Sequence, residues 1–167
     1  MTLAELNALP DAKAREELSR CCGCAAWAAA VAAARPFRDK AALLAAADAA
    51  WARTGEPEWR EAFAHHPRIG GKDALREKFA STTAWAQGEQ AGAATAAEEV
   101  LDALAKGNAE YEAKFGHIFI VCATGKSAAE MLSLLRARMG NAPAAEARIA
   151  AAEQAKITRI RLEKLIP

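Results

Sequence analysis

The residues 62–73 read AFAHHPRIGGKD. Two imidazoles, His65 and His66, stand where a helix must stop, because the residue before a proline is pushed out of α-helical backbone. Pro67 therefore aims His66 from a turn, and Gly70 and Gly71 allow close backbone approach beside it. A histidine titrates near neutrality and can give or take a proton. On residue types alone, a proton-transfer site and a solvated helix end explain the pair equally well.

Two further residues have matching chemistry. Glu89 lies in WAQGEQAG, four residues after Trp85 and between Gly88 and Gly92. A carboxylate against apolar surface has a raised pKa; the plainer reading is an exposed glutamate. In the last helix, Arg161 has Ile157 and Leu165 four residues to either side, whereas Arg159 can pair with Glu163. Arg161 is thus expected to point inward, where a guanidinium needs an anion. Asn108 lies on an apolar helical face, where a structural hydrogen bond would also account for it.

Two patterns are weaker than they look. ATGKS ends like a phosphate-binding loop, but that loop needs a glycine where this chain has Ile120. Ser127 with Glu130 is better read as a capping box. Cys21, Cys22 and Cys24 form CCGC, and C-x-C is not the usual spacing of a zinc or thioredoxin site. With Cys122 they read as small buried apolar residues beside a helix junction at Gly23.

The elements that must position these groups are helical. Thr2 and Glu5 cap a first short helix, and Pro10-Asp11 opens a second that Gly23 breaks or bends. The next segment runs to Arg35-Pro36, and RDKAALLAAADAAWART ends at Gly55-Glu56-Pro57. EWREAFA leads into the histidines, and KDALREKFA follows the glycines. Leu101, Leu104, Asn108, Tyr111 and Phe115 then recur on one face of a long helix that Gly116 ends. HIFIVCATG is β-branched and too short for a helix, so residues 117–124 are expected to be extended and buried. Their backbone N–H and C=O groups lack a ladder and must be satisfied by side chains, water or an amide-rich ligand. Two more helices follow, from Ser127 and from Pro143. The expectation is an all-α single-domain bundle, residues 1–167, of about eight helices.

The 167 residues fit one domain with a core. Alanine-rich runs favour helix, and a net charge of +1 with interspersed signs argues against nucleic acid. No apolar run is long enough for a membrane span, and neither terminus resembles a signal, so a soluble cytoplasmic protein is expected.

RPF (35–37), HP within HHPRIGG, GEQAG (88–92), NAEYEAKFG with FIVCA, and KITRIRL (156–162) occur in an order that resembles the 2-oxo-4-hydroxy-4-carboxy-5-ureidoimidazoline (OHCU) decarboxylase family. The resemblance spans residues 35–162. It implies an all-α homodimer and a carboxy-lyase that converts the ureidoimidazoline to (S)-allantoin in urate breakdown. It also implies that no metal or organic cofactor is used, and functional coupling to urate oxidase and hydroxyisourate hydrolase. Carried over by motif, His66 is the proton donor, with Glu89 and Arg161 as its catalytic partners. Substrate contacts fall to Pro67, to Ala86, Gln87, Gly88, Glu89 and Gln90, and to the main chain of Phe119, Ile120, Val121, Cys122 and Ala123.

A protonated His66 suits proton delivery, and Arg161 suits stabilisation of developing negative charge. Glu89 would hold the imidazole or accept from the substrate hydroxyl. Two positions depart from the family pattern: Ala86 replaces a common serine, and His117 replaces a common apolar residue. His117 is then either a functional variation or a surface histidine. The readings that compete with an enzyme are a non-catalytic helical interaction module and a Cys/His metal-binding protein.

Overall fold

The computed structural model describes residues 1–68, 71–79 and 91–167, with side chains omitted at 91–96. Ile69, Gly70 and residues 80–90 lie outside the described residues, and with them Ala86, Gln87, Gly88, Glu89 and Gln90. The described residues form nine helices and no strand. They are α1 (Leu3–Ala8), α2 (Asp11–Cys21), α3 (Ala25–Ala33), α4 (Lys40–Trp51), α5 (Glu56–Ala64), α6 (Lys72–Phe79), α7 (Ala91–Phe115), α8 (Ala128–Met139) and α9 (Pro143–Leu165). The all-α expectation holds. The helix count rises by one because the chain breaks at Gly23, with Cys22 in extended backbone (φ −144°) and Cys24 capping α3.

Local chemistry explains most boundaries. Thr2 and Glu5 form a reciprocal capping box on α1, and Ser127 and Glu130 form one on α8. Asp39 caps α4 by accepting from Ala42 N–H at 2.7 Å. Gly116 ends α7 with a positive φ of 73°, and its N–H reaches Glu112 O at 2.8 Å. At Gly125, φ is 75°, so glycines in left-handed backbone stand at both ends of the extended stretch.

The chain divides into two compact units. One comprises Met1–His66, Ile120–Cys122 and Ala147–Pro167; the other comprises Pro67–Phe119 and Ala123–Glu146.

The core of the first unit is built from α1 to α4 and α9, around Trp27, Leu18, Leu43 and Leu162, each no more than 1% exposed. Burying side chains of this size stabilises by roughly 1.5–3 kcal/mol each. Trp27 Nε1 donates to Ala47 O and Trp51 Nε1 to Ala151 O, both at 3.0 Å. Arg35 satisfies the carbonyls that α1 leaves open at its C-terminus, donating to Leu6 O at 2.9 Å and Leu9 O at 2.7 Å. Asn7 and Phe37 exchange two hydrogen bonds between side chain and backbone. Arg35 and Phe37 of RPF thus tie helix ends together; the Arg35–Pro36 peptide is cis.

In the second unit, α7 packs against α6 and α8. Leu101, Leu104, Tyr111 and Phe115 are buried along one face of α7, as their spacing predicts. Among the described residues, no helix is long and apolar enough to cross a membrane.

Candidate active site

In the first unit, α5 ends at Ala64. The next two N–H groups close a tightened last turn, His65 N to Ala62 O at 3.3 Å and His66 N to Phe63 O at 3.2 Å. His66 then lies in a bend beyond the helix, half-buried. Its Nε2 sits 2.5 Å from Gln154 Oε1 on α9. Gln154 is fully buried, and its amide nitrogen donates to Thr158 Oγ1 at 3.1 Å. The Thr158 hydroxyl in turn hydrogen-bonds the thiol of Cys22. One line of side chains therefore runs from the imidazole into the core.

Gln154, Thr158 and Arg161 fall at i, i+4 and i+7, one face of α9. Arg161 is half-buried, and its Nη1 donates to Cys21 O at 3.2 Å. Among the described residues no carboxylate pairs with it. Arg159 is exposed and pairs with Asp48 and Glu163, each at 3.4 Å. The inward arginine is therefore Arg161, though it sits at the edge of the buried line of Gln154, Thr158 and Leu162. Its predicted apolar neighbours, Ile157 and Leu165, are themselves only half-buried.

Burial, and the positive charges of Arg161 and His65, hold the His66 pKa below the usual value despite the hydrogen bond to Gln154. The resting imidazole is accordingly neutral at neutral pH, unlike the protonated form expected from the sequence. A neutral ring nitrogen facing a carbonyl oxygen is an N–H donor, which leaves Nδ1 as the basic atom.

Residues 118–123 have no regular secondary structure, as expected. Ile120 and Cys122 are buried and Val121 is half-buried. Cys122 N–H donates to Glu153 Oε2 at 2.7 Å, so a side chain from α9 answers part of the backbone demand. Glu153 also pairs with Lys156. Glu153 and Gln154, adjacent in sequence, thus hold the Cys122 main chain and the His66 ring.

The second unit contains Pro67, Phe119 and Ala123. The Phe119 ring meets Tyr111 edge-on at 5.1 Å and lies 4.6 Å beneath the Arg138 guanidinium. Behind it is a buried polar cluster. Tyr111 donates to Glu146, Arg138 reaches Glu146 Oε1 at 2.5 Å, and Asn141 donates to Glu146 Oε2 at 2.7 Å. Burial alone would raise the Glu146 pKa; the bonds from Arg138, Tyr111 and Asn141 outweigh it and hold the carboxyl ionised below its ordinary range. His117 is buried against Tyr111, with ring centroids 5.5 Å apart, and Nδ1 is 2.9 Å from Ile118 O. It is therefore a packed core residue and not a surface histidine. A cavity of about 360 Å³ is lined by Arg68, Asn108, Glu112, Ile118 and Phe119, among others, with Arg68 and Glu112 paired at 2.5 Å.

The cysteines have local partners. Cys24 Sγ accepts from Trp27 N–H at 3.4 Å as the cap of α3. Burial pushes the Cys21 thiol up to about 11 and the Cys22 thiol up to about 12, far from a reactive thiolate. Among the described residues, no group of three or more His, Cys, Asp or Glu side chains is placed to hold a metal ion.

Several calls from the sequence thus meet in the first unit: His66, Arg161 and the main chain of Ile120, Val121 and Cys122. Gln154, Thr158 and Glu153 were missed there. Their signal was the spacing from Arg161, seven, three and eight residues upstream along α9, at positions interleaved with buried alanines.

The sequence model of the OHCU decarboxylase family matches residues 7–163. The chain is 38% identical over 153 residues to the uric acid degradation bifunctional protein TTL of Arabidopsis thaliana, covering 90% of this chain and 46% of that protein. It is 36% identical over 103 residues to a 2-oxo-4-hydroxy-4-carboxy-5-ureidoimidazoline decarboxylase of Amia calva, covering 60% of this chain and 57% of that one. The chain thus spans about half the length of these curated relatives. Among solved structures, it superposes on an OHCU decarboxylase crystallised in the presence of (S)-allantoin with a TM-score of 0.71 and 35% identity, covering 90% of this chain and 96% of that chain. An (S)-allantoin synthase at 21% identity has the same fold, with a TM-score of 0.68 over 100% of this chain and 54% of its own. With a family match running almost from end to end, the chain belongs to the OHCU decarboxylase family.

Proposed function

We propose that the protein is a carboxy-lyase that converts OHCU to (S)-allantoin without a cofactor, with residues 1–167 acting as one functional domain. The observation that carries this reading is a half-buried His66 beside an Arg161 that no described carboxylate neutralises. The family match supplies the substrate class.

The substrate leaves as CO2 a carboxylate whose bonding electrons flow into the neighbouring C=N bond of the ring. An anion is lost as a neutral molecule, so one proton must enter from solvent. A second proton moves from the ring hydroxyl to the adjacent carbon, and the face it reaches sets the stereochemistry. Neutral His66 takes the hydroxyl proton and returns it to carbon. Arg161 steadies the carboxylate and the charge that develops as it leaves. Glu89 acts beside them on the hydroxyl or the imidazole. The main chain of Phe119 to Ala123, with Pro67 and residues 86–90, binds the ring and ureido group. The homodimer, the cytoplasmic location and the coupling to urate oxidase and hydroxyisourate hydrolase belong to the same reading.

The test generates the unstable substrate from urate with those two enzymes and follows chiral allantoin by circular dichroism. Adding the protein should speed the (S) signal well beyond the spontaneous reaction. A rate equal to the spontaneous one would refute the activity.

A further inference from the structure

We infer that Gln154 is a positioning residue that locks His66 as its Nε2–H tautomer and thereby makes Nδ1 the atom that exchanges a proton with substrate. The functional consequence rests on the reaction proposed above; the tautomer does not.

The geometry has three parts. The Gln154 carbonyl oxygen, 2.5 Å from His66 Nε2, is an acceptor only. The amide orientation is set from behind, because its nitrogen donates to Thr158 Oγ1 and the Thr158 hydroxyl is engaged with Cys22. Finally, Gln154 is 0% and Thr158 6% exposed, so water does not replace the missing partner if either is removed.

The charged and titratable groups around the ring are few. Arg161 faces it from α9, His65 adjoins it in the turn, and the Cys22 thiol lies at the far end of the line. Glu153, next to Gln154, is directed at Cys122 N–H and Lys156. Gln154 is thus the neutral acceptor in a position where a carboxylate would convert His66 to an imidazolium at rest. Neutrality suits a base that must collect its proton from substrate before delivering it.

The experiment is nitrogen NMR of the 15N-labelled protein above the His66 pKa, with the three histidines distinguished by comparison with His66→Ala. The wild type should show a protonated Nε2 and an unprotonated, pyridine-type Nδ1 at His66. Gln154→Leu should give a mixture of tautomers. Gln154→Glu should keep the wild-type tautomer but raise the pH at which His66 gains its second proton by about one unit or more. In the decarboxylase assay, Gln154→Glu should move the acid limb of kcat/KM upward by the same amount, whereas Gln154→Leu should lower kcat more than it changes KM. A protonated Nδ1 in the wild type would overturn the proposal without any variant or substrate. So would a titration of His66 unmoved in Gln154→Glu. If the tautomer is as stated but no decarboxylation occurs, the reaction assignment fails and the positioning role stands.

Discussion

Gly23 faces the side chain of His65 so closely that a Cβ at position 23 would lie 2.3 Å from both Cβ and Cγ of the imidazole residue. These are the root of the side chain, not its flexible end, so no rotamer change relieves the contact. Gly23 lets the turn carrying His66 sit against the break between α2 and α3. His65, which the resemblance leaves without a role, is the residue that occupies this space.

Gly23→Ala should therefore destabilise the protein by about 1–3 kcal/mol, the usual cost of overpacking. It should also lower kcat, because the His65–His66–Pro67 turn must move. Urea denaturation checks the first effect and the allantoin assay the second. An unchanged urea midpoint would show that the turn is not held this way.

The boundaries of the helices were legible because their signals are local. Thr2 with Glu5, Ser127 with Glu130, and Gly116 each act within a few residues. The inward choice of Arg161 over Arg159 was legible from helical spacing. What decides the state of His66 was not, because its partner Gln154 is 88 residues away. A glutamine in a helix reads as a solvated position until tertiary packing buries it. The same holds for Glu146, 35 residues from Tyr111, and for His117, which the fold turns into an aromatic cluster.

The lowered His66 pKa makes a signed prediction for stability. The unfolded histidine titrates near the model value of 6.5 and the folded one below it. Between those values the unfolded state binds more protons, so stability rises with pH through that window and is flat above 6.5 as far as His66 is concerned. Urea midpoints between about pH 5 and about pH 8 should show this slope in the wild type and a shallower one in His66→Gln. Identical slopes would mean that His66 is not held neutral by its surroundings.

The Glu146 cluster should behave as a buried ion pair. Glu146→Gln leaves the Arg138 guanidinium, with a side chain 10% exposed, without its counter-charge. That should cost about 3–5 kcal/mol by chemical denaturation. Tyr111→Phe removes one hydrogen bond to the carboxylate and should cost about 1.5–3 kcal/mol. The Glu146 carboxyl is depressed in the folded state, so this stability is present above its unfolded value of 4.5 and is lost as pH falls through the folded pKa. A Glu146→Gln protein as stable as the wild type would contradict the pairing.

Glu153 should matter to substrate binding more than to folding. Glu153→Ala removes the carboxylate that holds Cys122 N–H at 2.7 Å on a main chain proposed to bind the ureido group. A hydrogen bond of that kind corresponds to about a tenfold change in KM or more, while Glu153→Gln, which keeps an acceptor, should lose less. Equal KM values in all three proteins would separate Glu153 from the binding segment.

The most direct measurement places wild type and His66→Ala side by side in the coupled urate assay, following (S)-allantoin by circular dichroism. The wild type should accelerate the (S) signal, and His66→Ala should reduce kcat by at least about a hundredfold, within the range expected for loss of a general acid–base group. Turnover by His66→Ala close to that of the wild type would contradict proton transfer by His66.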